Sequence, residues 1–181
     1  MADVKQTISD FYTQAQVKDF SRNNLFRVLN INFGDGSSTV IGEGDLVYCR
    51  TASLPAKSIT NFQAPYMGLN FNIPGVVQYP GSESYSMNFY CDAAQKLREK
   101  FLSVVNDTFN DANSTGNYFT PKQSAVIDLV QLDKQLNKIS QYQLVGVSIR
   151  EVAALDYDMT ATGEIQNFNV NVAYHYWRKT G

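Results

Sequence analysis

The chain is short of several things, and each shortage closes a route. It has one His, one Trp and two Cys, and only 18% of its 181 residues are charged. With 15 Lys and Arg against 17 Asp and Glu it lacks a basic surplus, which argues against a phosphate-binding footprint of grouped cations. A hydrolytic triad needs a His between a nucleophile and a carboxylate; His175 is the sole candidate, and its strand neighbours are apolar or amide. Asp156 and Asp158 in "LDYD" sit in an expected loop without a companion base. Cys49 and Cys91 lack metal-ligand spacing and read as small, reduced hydrophobes on strands. P-loop, G-x-G-x-x-G and His/Cys/Asp ligand patterns are missing too, so no catalytic, cofactor-binding or metal residue is assigned. No apolar run approaches transmembrane length and "MADVKQTISDFYTQ" has no apolar signal core. The expectation is a protein made and kept in a cytosol, without membrane insertion. The N-x-[ST] matches at Asn106 and Asn113 then carry no meaning.

What is present is alternation. Hydrophobic content of 44%, with 13% aromatics, suits one globular domain over residues 1–181. Val4, Ile8, Phe11, Tyr12 and Ala15 fall at helical spacing within 4–17. Residues 24–33 alternate, with Leu25, Leu29, Ile31 and Phe33 on one face, and "GDGSS" (34–38) reads as a hairpin turn. That turn resembles a calcium loop faintly but lacks the further acidic positions and the terminal Glu. Residues 45–59 read as a strand ending at Pro55, and 67–73 and 84–91 as two more. The Gly-, Pro- and aromatic-rich segment 58–84 reads as a long projecting hairpin or loop. Asp92, with Gln95 as capping-box partner, predicts a helix over 92–109 whose Ala93, Leu97, Phe101, Val105 and Phe109 share a face against the outside of a sheet. After a polar loop (110–122), residues 124–132 and 142–149 flank "DKQLNK" as a second hairpin, and 165–177 is the final strand. The fold class is α+β: mainly an antiparallel β-sandwich or partial barrel with one principal helix.

Asparagine recurs on these strands. Asn30, Asn32, Asn70, Asn72, Asn88, Asn169 and Asn171 alternate with apolar residues although Asn is a poor strand former. Short neutral amides wet a face without strong charge, as a channel lining requires; an ordinary wet sheet face, or a surface between stacked subunits, is the alternative. The closing "NFNVNVAYHYW" (167–177) places Phe168, Val170, Val172, Tyr174 and Tyr176 on one side, and His175 and Trp177 at the far end of the other.

Four segments in order, "DFSRNNLFRV" (19–28), "CRTASLPAKSI" (49–59), "DAAQKLREKFLSVV" (92–105) and "GEIQNFNVNVAYHYW" (163–177), resemble the tail tube proteins of contractile-tailed, myovirus-type bacteriophages. The stretch 33–45 departs from that pattern as an insertion would. The resemblance implies a structural protein whose six-fold rings close a β-barrel around a channel and stack into a tube inside a contractile sheath. It implies assembly in the host cytoplasm and a place in the virion tail. The implied partners are the sheath, tape measure, baseplate and tail terminator proteins, with DNA passing through the lumen without specific binding. Tubes of type VI secretion and bacteriocin systems are the nearest alternative, and a small-ligand-binding β-barrel is one from another class. On the tube reading, Phe62, Tyr66, Met67, Phe71 and Tyr79, too apolar to hang in water, dock on an adjacent subunit or ring, and a neighbour covers His175 and Trp177.

Overall fold

Two four-stranded antiparallel sheets face each other in the computed structural model, which describes residues 7–34, 41–116 and 123–181. In chain order the elements are α1 (Ile8–Lys18), β1 (Phe26–Asn32), α2 (Glu43–Leu46), β2 (Cys49–Thr51), β3 (Ser58–Tyr66), β4 (Leu69–Gln78), β5 (Tyr85–Tyr90) and α3 (Lys96–Thr108). There follow β6 (Phe109–Asn110), β7 (Thr115–Gly116), β8 (Val126–Leu132), β9 (Lys138–Val145), β10 (Ser148–Val152), β11 (Asn167–Ala173) and β12 (Tyr176–Lys179). The first sheet has the order β1-β8-β9-β12 and the second β10-β11-β5-β2; among the described residues β3 pairs only with β4, and β6 only with β7. This is the expected antiparallel sandwich, and the barrel is not closed within one subunit.

The core lies between the sheets. Val28, Ile31, Ile127, Leu129 and Leu144 come from the first, and Tyr85, Met87, Phe89, Phe168, Val170 and Val172 from the second. On β11 period-two alternation alone sorts the side chains: Phe168, Val170 and Val172 are buried, while Asn167 and Asn169 are exposed. On β1 it does not, because the register shifts between Val28 and Asn30. The extra residue turns Val28 and Ile31 inward and leaves Leu29 exposed, so the expected face of Leu25, Leu29, Ile31 and Phe33 is corrected by one bulge.

The principal helix begins at Lys96, not Asp92. Asp92 still caps it: its carboxylate accepts the Lys96 and Leu97 N–H groups at 3.1 and 3.2 Å. Gln95 is left-handed (φ 53°) and donates to the Tyr157 hydroxyl, so it forms no capping box. Leu97 and Phe101 are buried, but against the core side of the second sheet rather than its outside, with Phe101 meeting Phe89 and Phe168 at ring distances of 5.2 and 6.1 Å.

Two expected strands break where the chain changes sheets. The segment 142–149 divides at Gly146 (φ 73°), with β9 in one sheet and β10 in the other. The segment 165–177 divides at Tyr174–His175, so β11 and β12 also lie in different sheets. These corners stack: the His175 N–H donates to the Val145 carbonyl at 2.9 Å, and a Cβ on Gly146 would lie 2.9 Å from the imidazole Cγ. Glycine is thus required twice over at 146, for its φ and for the ring above it. The expected strand 45–59 is instead the short α2, the three residues of β2 and an irregular run into β3. Residues 35–38 of the expected turn, Val4 at the start of the expected first helix, and 117–122 of the polar loop lie outside the described residues.

Candidate functional site

The hairpin β3–β4 is an amphipathic ribbon. Its register places Phe62 opposite Ile73, Ala64 opposite Phe71 and Tyr66 opposite Leu69, and residues directly opposite share a face. That face is wholly apolar. The other pairs Gln63 with Asn72 and Pro65 with Asn70. Met67 (φ 49°) and Gly68 (φ 80°) form the two-residue turn, both in the left-handed region that a tight hairpin demands. No other described residue covers the apolar face: Phe62, Tyr66, Met67 and Phe71 are all at least half exposed, Met67 to 85%. Sequence reading named these four and missed Ile59, Leu69, Ile73, Val76 and Val77, all exposed on the same ribbon. Strict pairing of β3 with β4 was the missing information.

Tyr79 and Trp177 lie off the ribbon's apolar face, partly buried within the subunit. Tyr79, just past β4, is half-buried against the core, with the Lys57 ammonium 5.9 Å from its ring centroid. Trp177 lies on β12 opposite Leu144, on the core side of the first sheet. Its indole N–H donates to the Ala56 carbonyl at 2.9 Å and its ring meets Tyr142 at 5.8 Å. The physical reason is the break at Tyr174–His175, which reverses the face that Trp177 would have had on a continuous strand. His175 is exposed at the corner described above.

The seven asparagines fall on three surfaces. Asn30 and Asn32 are exposed on β1, at the edge of the first sheet; Asn70 and Asn72 are on the polar face of the hairpin. Asn88, Asn169 and Asn171 are on the outward face of the second sheet, where Asn169 is opposite Asn88 and Asn171 opposite Ser86. There the Asn88 amide donates to Asn167 Oδ1 at 2.9 Å and Asn169 Oδ1 at 2.8 Å, and the Asn171 amide to Glu151 at 2.8 Å.

The first sheet carries a different polar ladder, which sequence reading did not find. Arg178 donates twice to Gln143 Oε1 (2.9 and 2.6 Å), Gln143 donates to Asp128 at 2.9 Å, and Asn30 to Asp128 at 3.4 Å, crossing all four strands. Asp128 is buried and also accepts from Gln141 at 3.3 Å, so its oxygens are satisfied by amides. Only the register reveals this ladder, since its members are far apart in sequence.

Reactive chemistry is sparse. Among the described residues no group of three or more His, Cys, Asp or Glu is placed to hold a metal ion. Burial pushes the Cys49 thiol up to about 12, far from a reactive thiolate. Burial likewise raises the Tyr85 phenol, whose O–H donates to the Ser53 carbonyl. A cleft of about 250 Å³ beside Leu25 and Leu54 has Arg22 as its one charged lining residue. Helix α1 buries none of its residues, and among the described residues no helix is long and apolar enough to cross a membrane.

Comparison with known proteins gives a consistent picture. No family model matches the chain. It is 26% identical over 166 residues to the tail tube protein gp19 of Enterobacteria phage T4, covering 88% of this chain and 91% of that one. The gp19 of Enterobacteria phage T6 matches at the same identity and coverage. Among solved structures, the tube-terminating cap of the anti-feeding prophage superposes with a TM-score of 0.63 at 12% identity over 99% of both chains. A chain of the extended sheath–tube complex of an extracellular contractile injection system (PVC) gives 0.58 at 10% identity, over 93% of this chain and 96% of that one. The structural matches establish the shared fold, the sequence matches extend over nearly the whole of both chains, and together they make this chain a homologue of the phage tail tube protein gp19.

Proposed function

We infer that the chain is a structural subunit of a phage tail tube, with no enzymatic role. Besides the homology, one observation carries the reading: the subunit is unfinished as a monomer. A compact monomer of 20.3 kDa exposes about 8,800 Å² by the usual scaling. This chain exposes 12880 Å². The excess, on the order of 4,000 Å², matches the area that obligate assemblies bury. Much of it is apolar and local, on the hairpin ribbon and on α1, where Ile8, Phe11, Tyr12 and Val17 are exposed. A two-stranded hairpin is marginal in water by itself, so the ribbon's apolar face is proposed to rest on an adjacent subunit or ring.

Either four-stranded sheet suits ring closure. Six copies contribute twenty-four strands, which at about 4.8 Å spacing and about 40° tilt close a barrel of about 50 Å between backbones. Such rings stack into a tube, with the asparagine faces supplying candidates for the channel lining. The tube stands in the virion tail after assembly in the host cytoplasm, within a sheath, capped by baseplate and terminator proteins, and holds the tape measure protein before the DNA passes. Solved neighbours from sheath–tube, cap, terminator and baseplate assemblies support the sheath, baseplate and terminator among these partners.

The test is electron microscopy of the purified protein, with sedimentation alongside. Rings or filaments are the expected result. A protein that stays monomeric or dimeric at high concentration, with or without the tail proteins of the same virus, overturns the tube reading.

A further inference from the structure

We propose that the β-bulge at the base of the hairpin ribbon, held by the Thr60 hydroxyl, sets the direction in which the ribbon presents its apolar face, which makes Thr60 a positioning residue for assembly. The proposal rests on the reading above that this face docks on a second copy of the chain.

The register contains the bulge. Ile59 is opposite Val77 and Asn61 opposite Pro74, so Thr60 on β3 faces two residues of β4, Gly75 and Val76. An extra residue on one strand interrupts the ladder, bends that strand and increases its twist. Here one side chain closes the interruption. The Val76 N–H donates to Thr60 Oγ1 at 3.2 Å, and the Thr60 hydroxyl donates to the Val76 carbonyl at 3.1 Å. Both main-chain groups of Val76 are thereby tied across the ribbon, although Val76 itself is exposed. Gly75 completes the fit. A Cβ there would lie 2.9 Å from the Thr60 carbonyl oxygen and 3.1 Å from the Phe62 ring, so Phe62, a member of the apolar face, rests against the bulge.

A regular ladder continued from Phe62–Ile73 would instead set Thr60 opposite Gly75 and Ile59 opposite Val76. The two bonds of the Thr60 hydroxyl to Val76 hold the bulged register against that one. The consequence for docking is geometric. The six residues of β3 beyond the bulge, 61–66, extend about 20 Å. A change of about 20° in the bend, the usual twist between neighbouring strands, would move the tip by about 7 Å. Apolar side chains touch only within about 4 Å, so Tyr66, Leu69 and Phe71 would miss their contact. Thr60, Gly75 and Val76 lie outside the buried core, and the sandwich does not depend on them.

The experiment compares full-length variants with the unsubstituted protein by sedimentation and electron microscopy. Thr60→Val keeps a β-branched residue and removes the hydroxyl. Deletion of Gly75 removes the extra residue and leaves Thr60 opposite Val76 in a regular ladder. Both should raise the concentration at which filaments first appear by about tenfold or more, while the unassembled subunit melts at the unsubstituted temperature. Thr60→Ser, which keeps the hydroxyl, should assemble as the unsubstituted protein does. Unchanged assembly of Thr60→Val overturns the proposal, and so does unchanged assembly of the deletion, which would show that any ordered ribbon suffices. Failure of Thr60→Ser, or a lowered melting temperature in Thr60→Val or the deletion, also overturns it, the latter by making the bulge part of the fold. Normal filaments from a chain lacking the ribbon would instead fail the docking reading, and absence of filaments from unsubstituted protein would fail the tube reading; either takes this proposal with it.

Discussion

The sandwich and the hairpin use the same kinds of side chain in opposite ways. In the sandwich Phe89, Phe101 and Phe168 are at most 2% exposed and touch one another. On the hairpin Phe62 and Phe71 are more than half exposed, and all ten positions of β4 are exposed. Burial within the subunit stabilises the fold; apolar area left outside it is available only to another molecule. The difference separates residues that make the subunit from residues that make the assembly, and mutations should divide along it.

The largest effect is expected from removing the ribbon. Ser58 and Gln78 are paired at its base, so replacing 59–77 with Asn-Gly joins the flanks through a short turn. This variant should lose polymerisation completely while its melting temperature moves by no more than about 2–4 °C, the equivalent of about 1 kcal/mol. Normal filaments in the microscope would end the distinction drawn above, and a collapsed melting transition would make the ribbon part of the fold.

Phe101→Ala is the converse. Loss of a fully buried aromatic between Phe89 and Phe168 should cost about 3–5 kcal/mol, or roughly 6–20 °C, in the ribbon-free background where assembly does not interfere. Phe71→Ala in the intact chain should change the melting of the unassembled subunit by only about 0.5 kcal/mol while weakening assembly. Denaturant titration of the two variants compares them directly; equal losses would contradict the division.

How far the sequence could be read follows the same boundary. Period-two and period-3.6 patterns report which side of an element is apolar, so Phe168, Val170, Val172, Leu97 and Phe101 were legible as core residues. Periodicity fails where geometry inserts or removes a residue. The bulge on β1 moved Leu29 out, and the sheet change at Tyr174–His175 turned Trp177 to the core side of the first sheet. Phe62, Tyr66, Met67 and Phe71 stood out as excess apolar residues, but that one face of the ribbon is wholly apolar needs its register. The Arg178–Gln143–Asp128–Asn30 ladder was illegible for the same reason: neighbours across strands are not neighbours in sequence.

The last effect concerns a surface contact of the sandwich, and it sharpens the comparison because it bears modestly on the fold and not on assembly. Asp92 precedes α3 by four residues yet serves its first turn, accepting the Lys96 and Leu97 amides. Desolvation would raise its carboxyl, but those two hydrogen bonds outweigh it and hold the group below the usual carboxylate range. A carboxyl depressed in the folded state contributes stability that is present above its unfolded pKa and is lost as pH falls through its folded value. Asp92→Ala should therefore cost about 1 kcal/mol near neutral pH, as for other lost helix caps, with Asp92→Asn retaining most of it. Below about pH 4, the ordinary range for Asp, the gap between Asp92→Ala and the unsubstituted residue should narrow as the carboxylate protonates. Denaturant unfolding of the ribbon-free protein at pH 7 and pH 3 measures both gaps. A difference that stays constant across that range would mean that the charge of Asp92 does not act on the helix terminus, and that the carboxyl matters only for its shape.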